Sequence, residues 1–377
     1  MKVALIHDHL AQTGGAEKVL KVFADIFPEA TIYTLLADKV KTDTYLEGRR
    51  IDTSVIQRLP GGVKHYKWYL PLMPMAVEFF DLSEYDLVIS DTSSFAKGVI
   101  TLPDVPHICY CHTPTRYLWS DAHSYLNELK YNKWFKKIIA RMLVRLRQWD
   151  FLAASRVDYF IANSKTVAKR ISKYYRREAQ VIYPPVETDN FFISDLSAQA
   201  PEERYFLAGC RLVPYKRIDL VVEAFKELGP DYRLKVFGDG LDLSRLKKIA
   251  GEAGNIEFLG RVSDDQKAVY YSRAQAFINP QEEDFGITPL ESMASGRPVI
   301  AYRKGGATET VREGETGIFF DEQTPASLVT AIKSFRSENF SSTRIRAYAE
   351  TFSVARFSEE IKKLVAAVMS KNNENSR

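Results

Sequence analysis

An apolar run of only four residues, Val3–Ile6, leads into a glycine turn, Thr13-Gly14-Gly15. A helical pattern follows over Ala16–Phe27, with Val19, Val22, Phe23 and Ile26 recurring on one side. Strand, glycine loop and helix in that order open a nucleotide-binding α/β domain. The theme continues with short runs at Leu87–Ser90, His107–Cys111 and Tyr159–Ala162. Their spacing predicts a mostly parallel sheet with helical crossovers.

The pattern breaks at Val181-Ile182-Tyr183-Pro184-Pro185-Val186, and a polar stretch through Pro201 reads as a linker. A second series then starts, with runs at Tyr205–Cys210, Leu234–Phe237, Ile256–Leu259, Ala276–Asn279 and Val299–Tyr302. Helical patterns over Asp219–Leu228 and Leu243–Ala250 fill the gaps. The length of 377 residues is comfortable for two cores. The expected class is α/β, with two Rossmann-like domains facing across a cleft. Residues 1–185 form the first domain and 186–353 the second. An amphipathic pattern over Val354–Met369 is followed by a polar, frayed tail, Ser370–Arg377. Open α/β sheets bind ligands outside the carboxyl ends of their strands, so the loops after strands hold the chemistry.

Net charge is only +4, which does not by itself imply a nucleic-acid partner. The start, MKVALIHDHL, lacks the roughly 7–15 apolar residues of a signal peptide. No uninterrupted apolar stretch approaches the roughly 20 residues of a membrane span. A cytoplasmic location is the expectation, and three cysteines fit a reducing compartment. Cys109 and Cys111 near His107 and His112 invite a zinc reading, but Cys-x-Cys is poor zinc spacing and no second ligand pair is evident. No metal site is expected.

Four motifs follow predicted strands. In Glu282-Glu283-Asp284-Phe285-Gly286-Ile287-Thr288-Pro289-Leu290-Glu291, Thr288 reads as a helix N-cap, Pro289 as its first residue and Glu291 as the partner in a capping box. N–H groups at Gly286, Ile287 and Thr288 could hold a diphosphate. The alternative is that Glu291 only caps its helix and Glu283 is solvated. In Gly209-Cys210-Arg211-Leu212-Val213-Pro214-Tyr215-Lys216-Arg217, the cations either stabilise a leaving nucleotide diphosphate or form an ordinary basic loop. Gly14-Gly15 and Gly238-Asp239-Gly240 let backbone approach a phosphate, yet neither completes G-x-G-x-x-G, which disfavours a dinucleotide-dependent dehydrogenase. His112, in His112-Thr113-Pro114-Thr115-Arg116-Tyr117, either bonds a sugar hydroxyl or is structural. No Asp-x-Asp occurs, which weighs against a carboxylate–metal clamp.

Together these strings resemble the retaining glycosyltransferases of family 4 over nearly the whole chain. The resemblance rests on GGAEKVL, YCHTPTRYLW, VIYPPVETDNF, GCRLVPYKRIDLVVEAF, VFGDG, FLGRVSDDQ and EEDFGITPLESMASGRPVIA with KGGATETV. Glu283 and Glu291 match the family's Glu-x7-Glu pair. The resemblance implies a GT-B fold and metal-independent chemistry without a cofactor, the nucleotide sugar being a substrate. It implies that Gly15 approaches the donor diphosphate, that Arg211 and Lys216 grip it, and that Glu283 binds sugar hydroxyls. Glu291 would bind the ribose, Gly238 and Val262 would border the base, and His112 would contact the sugar near the reacting carbon. Phe285, Gly286, Ile287 and Thr288 belong to the same donor site. The terminal segment 354–377 would cross back to the first domain.

The closest resemblance is to bacterial mannosyltransferases that build surface polysaccharides, O-antigen or exopolysaccharide, from GDP-mannose. The expected acceptor is a glycan or a lipid-linked oligosaccharide, met by first-domain loops around Asp8, His9 and Arg58–Met75. Asp284 departs from the family, where Gly is common, and leaves UDP-sugar donors open. A non-catalytic sugar-nucleotide-binding protein is the other alternative, but no grip residue is missing. No nucleic-acid recognition motif is present.

Residues 130–149 carry a basic amphipathic pattern. Phe135, Ile138, Ile139, Met142, Leu146 and Trp149 share one face, and Lys133, Lys136, Lys137, Arg141 and Arg147 lie mostly opposite. Such a helix either lies on an anionic membrane or packs a core with a solvated basic back. The first reading makes the protein peripheral on the cytoplasmic face of the inner membrane.

Overall fold

In the computed structural model, Val3–His7 form β1, buried along its whole length. The structure describes residues 1–12, 14–129, 131–196, 200 and 203–375. Thr13 of the glycine turn, Lys130 of the basic segment, Ser197–Gln199, Pro201 and Glu202 of the expected linker, and Ser376–Arg377 of the tail lie outside them.

The chain divides into two units, Met1–Pro184 with Phe357–Arg377, and Pro185–Arg356. In the first, β1 is joined by β2 (Thr31–Thr34), β3 (Ile51–Thr53), β4 (Leu87–Thr92), β5 (His107–Cys111), β6 (Tyr159–Ala162) and β7 (Gln180–Val181). The order is β3-β2-β1-β4-β5-β6-β7, every pair parallel. The chain winds outward from β1 on one side and then from β4 on the other. The order therefore reverses between β1 and β4, where α/β sheets open a ligand crevice.

The second unit repeats the plan. It contains β8 (Phe206–Gly209), β9 (Leu234–Phe237), β10 (Ile256–Gly260), β11 (Phe277–Asn279), β12 (Val299–Tyr302) and β13 (Gly317–Phe320), in the order β10-β9-β8-β11-β12-β13. All pairs are again parallel, and the reversal falls between β8 and β11. Helix Ile218–Leu228 covers this sheet with Leu220, Val221, Val222, Ala224 and Phe225 buried. Gly209 makes room at the reversal point, where a Cβ would lie 2.4 Å from the Phe237 ring.

The terminal helix runs Val354–Asn375, and from Phe357 onward it belongs to the first unit. Phe357 is fully buried there, its ring 5.5 Å from Phe23 and 5.7 Å from Tyr110. Edge-on rings at that spacing add to the area they bury.

Two sequence expectations need correction. The stretch after Val186 is not a free linker: Val186 pairs with Ser353, and Phe191 is buried beside Tyr271. Arg297 also donates to the Ser194 and Ser272 carbonyls. A few apolar residues hidden among polar ones anchor a segment that reads as polar overall. The basic helix, Lys133–Ser155, also differs from its wheel. Arg147 is not on a solvated back, because it donates to the Leu118 carbonyl and lies 5.9 Å from the Trp119 ring. Leu143, Leu146, Asp150 and Ala153 are buried, whereas Trp134, Phe135 and Ile138 are exposed.

Candidate functional site

The carboxyl ends of β8 and β11 carry two of the sequence motifs, and the structure brings them together. Lys216 Nζ donates to Glu283 Oε1, and Gln281 Nε2 donates to the same oxygen at 2.5 Å. Burial opposes a charge on Lys216, but the Glu283 carboxylate outweighs it and raises the ammonium pKa above its ordinary value. Lys216 is therefore charged, in a mostly buried pair with Glu283.

Three features aim the Glu283 loop. Gly286 has φ +92°, a conformation that side chains resist. The Gly306 N–H donates to the Glu283 carbonyl at 2.7 Å. The Phe285 ring is buried, 6.0 Å from Phe352. Gly305 and Gly306 permit this contact, since a Cβ on Gly306 would lie 2.3 Å from Phe285 Cα.

The helix runs Ile287–Ala294 and is preceded by Gly286, with no side-chain cap. This corrects the expected capping box: Thr288 is inside the first turn, not the N-cap. The left-handed Gly286 lets the chain enter the helix before Thr288. Pro289 is tolerated because first-turn N–H groups have no partner within the helix. The N–H groups of Ile287 and Thr288 belong to that turn and can meet an anion. Glu291 is not a cap either. Its carboxylate accepts from Lys267 Nζ at 3.1 Å and Tyr271 Oη at 3.3 Å. Burial, and then the Glu291 charge, push the Tyr271 phenol well above its ordinary pKa, so it stays a donor.

Arg211 lies on the same loop as Lys216 and donates to Tyr215 Oη at 3.1 Å. Arg217, at φ +54°, turns the chain into its helix and donates to Gln323 Oε1 at 3.1 Å. Gly238 has φ +116°, and a Cβ there would lie 1.9 Å from the Cys210 carbonyl. Its N–H donates to the Gly260 carbonyl at 2.7 Å, tying it to the end of β10, two residues before Val262. The second unit thus carries Arg211, Lys216, Gly238, Glu283 and Gly286 on loops at the strands' carboxyl ends, with Glu291 inside the helix that follows β11.

Gly15 and His112 belong to the first unit. Gly15 opens helix Gly15–Ile26 after Gly14. His112 follows β5, and its Nε2 lies 2.6 Å from Asp91 Oδ1. Asp8, a candidate acceptor contact, is instead a buried structural acceptor. It takes N–H bonds from Ser93, Phe95 and Ala96 at 2.7–2.8 Å and the Thr92 hydroxyl at 2.9 Å. Burial opposes its charge, but His7 and these donors hold its pKa below the ordinary value.

The sequence reading missed Gln281, Lys267, Tyr271 and the His7–Asp91 contact. A signal existed for the last: His7 ends β1 and Asp91 is the penultimate residue of β4, the two strands that flank the reversal. Gln281 stands two residues from Glu283 on the same loop, whereas Lys267 and Tyr271 reach Glu291 from another helix, where spacing in sequence carries no information.

Two family models cover successive parts of the chain: Glycosyltransferase Family 4 over residues 13–190, and Glycosyl transferases group 1 over 191–352. A GDP-mannose-dependent alpha-(1-6)-phosphatidylinositol monomannoside mannosyltransferase of Mycolicibacterium smegmatis is 29% identical over 216 residues, 49% of this chain and 56% of that one. An alpha-1,3/1,6-mannosyltransferase of Dictyostelium discoideum is 26% identical over 290 residues, 65% of this chain and 66% of that one. The chain thus spans 56–66% of the length of these relatives. Anabaena HepE, solved in complex with UDP, matches 97% of this chain and all of its own at a TM-score of 0.72 and 20% identity. Sucrose-phosphate synthase of Thermosynechococcus elongatus matches 98% of this chain at 0.72 and 15%. With both halves matched in order and the fold shared along its length, the chain belongs to the glycosyltransferases of the GT-B fold.

Proposed function

We propose that this protein transfers a sugar from a nucleotide diphosphate donor with retention of configuration, and that the donor is GDP-mannose. The observation that carries this reading is the Lys216–Glu283 pair beside the first turn of helix Ile287–Ala294. A cation and a helix N-terminus suit a diphosphate, and a carboxylate suits sugar hydroxyls. Arg211 and Lys216 supply fixed positive charge where the leaving diphosphate gathers negative charge. Glu291, held by Lys267 and Tyr271, is assigned to the ribose in this reading. No metal or cofactor is assigned a role. Mannose is favoured by the two mannosyltransferase relatives, one of them GDP-mannose-dependent.

The acceptor proposed is a glycan or lipid-linked oligosaccharide of a bacterial surface polysaccharide. A peripheral site on the cytoplasmic face of the inner membrane goes with it. No helix among the described residues is long and apolar enough to cross a membrane. Helix Lys133–Ser155 exposes Trp134, Phe135 and Ile138 near Lys133, Lys136 and Lys137, which suits an anionic lipid surface. Flotation with anionic but not neutral vesicles is the expected result. Equal flotation with both, or with neither, removes the membrane from the reading.

The donor is tested by calorimetry with GDP-mannose, GDP-fucose, UDP-glucose, UDP-N-acetylglucosamine and free diphosphates, a chelator being present. Binding of GDP-mannose above the others is expected. Preference for a UDP compound overturns mannose, and binding of none overturns the donor site.

A further inference from the structure

At the reversal in the first unit, four ionisable groups stand in line. Register pairs His7 of β1 with Asp91 of β4, so their side chains are neighbours. Glu17 Oε1 is 4.0 Å from His7 Nε2, an ion-pair distance rather than a hydrogen bond. His7 Nδ1 is 2.9 Å from Asp91 Oδ2, and Asp91 Oδ1 is 2.6 Å from His112 Nε2. Glu17, His7 and Asp91 are buried, while the His112 side chain keeps 14% of its surface open. Glu17 belongs to the GGAEKVL string, and the donor site leaves it without a role.

The protons can be assigned by elimination. An imidazole with a carboxylate at each nitrogen is stable when both nitrogens are protonated. Burial penalises that charge, but Asp91 and Glu17 outweigh it and hold His7 at a pKa of about 10. Asp91 is then ionised, its pKa held low by His112 and His7 against burial. An ionised carboxylate only accepts, so His112 must donate from Nε2. The neutral tautomer with its proton on Nε2 keeps a lone pair on Nδ1. The other groups near His7 are Asp8, an ionised acceptor, and His9, whose pKa burial lowers so that it stays neutral. The Tyr45 phenol, near Glu17, is pushed up by burial and stays protonated too.

We propose that His7, held as an imidazolium between Glu17 and Asp91, is a positioning residue that fixes His112 as the Nε2–H tautomer, presenting Nδ1 as an acceptor to a sugar hydroxyl. The inference rests on the reading that His112 meets the donor sugar. Without the His7 charge, Asp91 faces Glu17 across a buried gap with no cation, and one of them takes up a proton. A protonated Asp91 donates to His112 Nε2, which moves the imidazole proton to Nδ1 and turns an acceptor into a donor. Neither the fold nor the second unit's grip on the nucleotide needs to change.

The test combines kinetics with long-range 1H–15N spectra of protein labelled at histidine. Six histidines make assignment by single substitution practical. Wild type should show His112 protonated on Nε2, and His7 protonated on both nitrogens at pH 8. His7→Gln should lower kcat about 10–100-fold, the scale of losing an outer-shell partner of a metal-bound histidine. Its KM for the donor and its affinity for free nucleotide should hold. Its activity should recover as pH rises, because Asp91 ionises again and restores the tautomer. A pH-independent loss, an unchanged kcat or an unchanged His112 tautomer overturns the proposal. If His7→Gln does not fold, wild type decides: His112 protonated on Nδ1, or His7 singly protonated at pH 8, overturns it. His112→Ala separates the two readings. Full activity there removes His112 from the reaction, whereas an inactive His112→Ala beside a fully active His7→Gln rejects the role of His7 alone.

Discussion

Lys216 donates its ammonium to the Glu283 carboxylate across 67 positions of sequence, joining the loop after β8 to the loop after β11. One carboxylate therefore serves two groups, the sugar it is proposed to bind and the cation proposed to grip the phosphates. Glu283→Gln removes both functions of the charge. Transfer should fall at least about 100-fold, the scale of losing one fixed electrostatic contact in a transition state. Binding of the free nucleoside diphosphate should not weaken, because Lys216 loses an anion that competes with phosphate. Undiminished transfer in a coupled nucleotide-release assay would remove Glu283 from the chemistry.

Arg211 lies on the Lys216 loop, and its donation to Tyr215 holds the guanidinium near that lysine. Arg211→Ala should weaken nucleotide binding by roughly 1.5–3 kcal/mol, the range for a hydrogen bond to a charged group. The loss should shrink at high salt, because screening already weakens the wild-type contact. Calorimetry at two ionic strengths measures both effects. Equal affinity for the two proteins would place the diphosphate elsewhere.

Much of this was legible because most of the strands are short apolar runs. Runs such as Val299–Tyr302 and helix Leu243–Ala250 fall where periodicity puts them. The outer strands on the β1 side of the first sheet were not legible: edge strand β3 is only Ile-Asp-Thr, and β2 beside it begins and ends in threonine. Such segments become strands through their neighbours. The site divides the same way. Glu283 and Glu291 stand out through the resemblance's Glu-x7-Glu pair, but read from its residues alone Glu291 belongs to its own helix cap. Its partners, Lys267 and Tyr271, come from the preceding helix, Asp264–Arg273. His7 was hidden because its meaning depends on a register with a strand 84 positions away.

Gly306 offers a test of how the Glu283 loop is aimed. A methyl group there would meet Phe285 Cα at 2.3 Å, and backbone cannot step aside as a flexible side chain can. Gly306→Ala should destabilise the protein by about 1–3 kcal/mol, as overpacking does. Transfer should fall with it, since the loop carrying Glu283 must shift. Gly254→Ala is the control: nothing lies within 4 Å of its added Cβ, so stability should change by no more than about 0.5 kcal/mol. Urea denaturation of both variants compares them directly, and equal stabilities would show the Gly306 contact to be slack.

Two buried histidines of the first unit set opposite limbs of a pH–stability curve. His7 is raised to about 10, so its stabilisation is complete below the unfolded value of about 6.5 and is lost as pH rises towards 10. His107 is lowered to about 3 by burial, with Arg156 adding to the effect. Its Nε2 meets Ser90 Oγ at 2.8 Å. The unfolded chain takes up a proton there below about pH 6.5 while the folded chain does not, so stability falls as pH drops towards 3. Asp8, Asp91 and Glu17 are all lowered and add to the acid loss once their unfolded counterparts protonate. Unfolding free energy should therefore peak near pH 6.5, with each histidine contributing a slope of up to about 1.4 kcal/mol per pH unit on its own side. Between about pH 6.5 and 8.5 the alkaline limb belongs to His7, because buried thiols such as Cys210 matter only above that range. His7→Gln should flatten this limb above the pH at which the protonated Asp91 or Glu17 ionises again, and leave the His107 slope in place. A wild-type curve already flat from pH 6.5 to 8.5 would mean that His7 is not charged between Glu17 and Asp91.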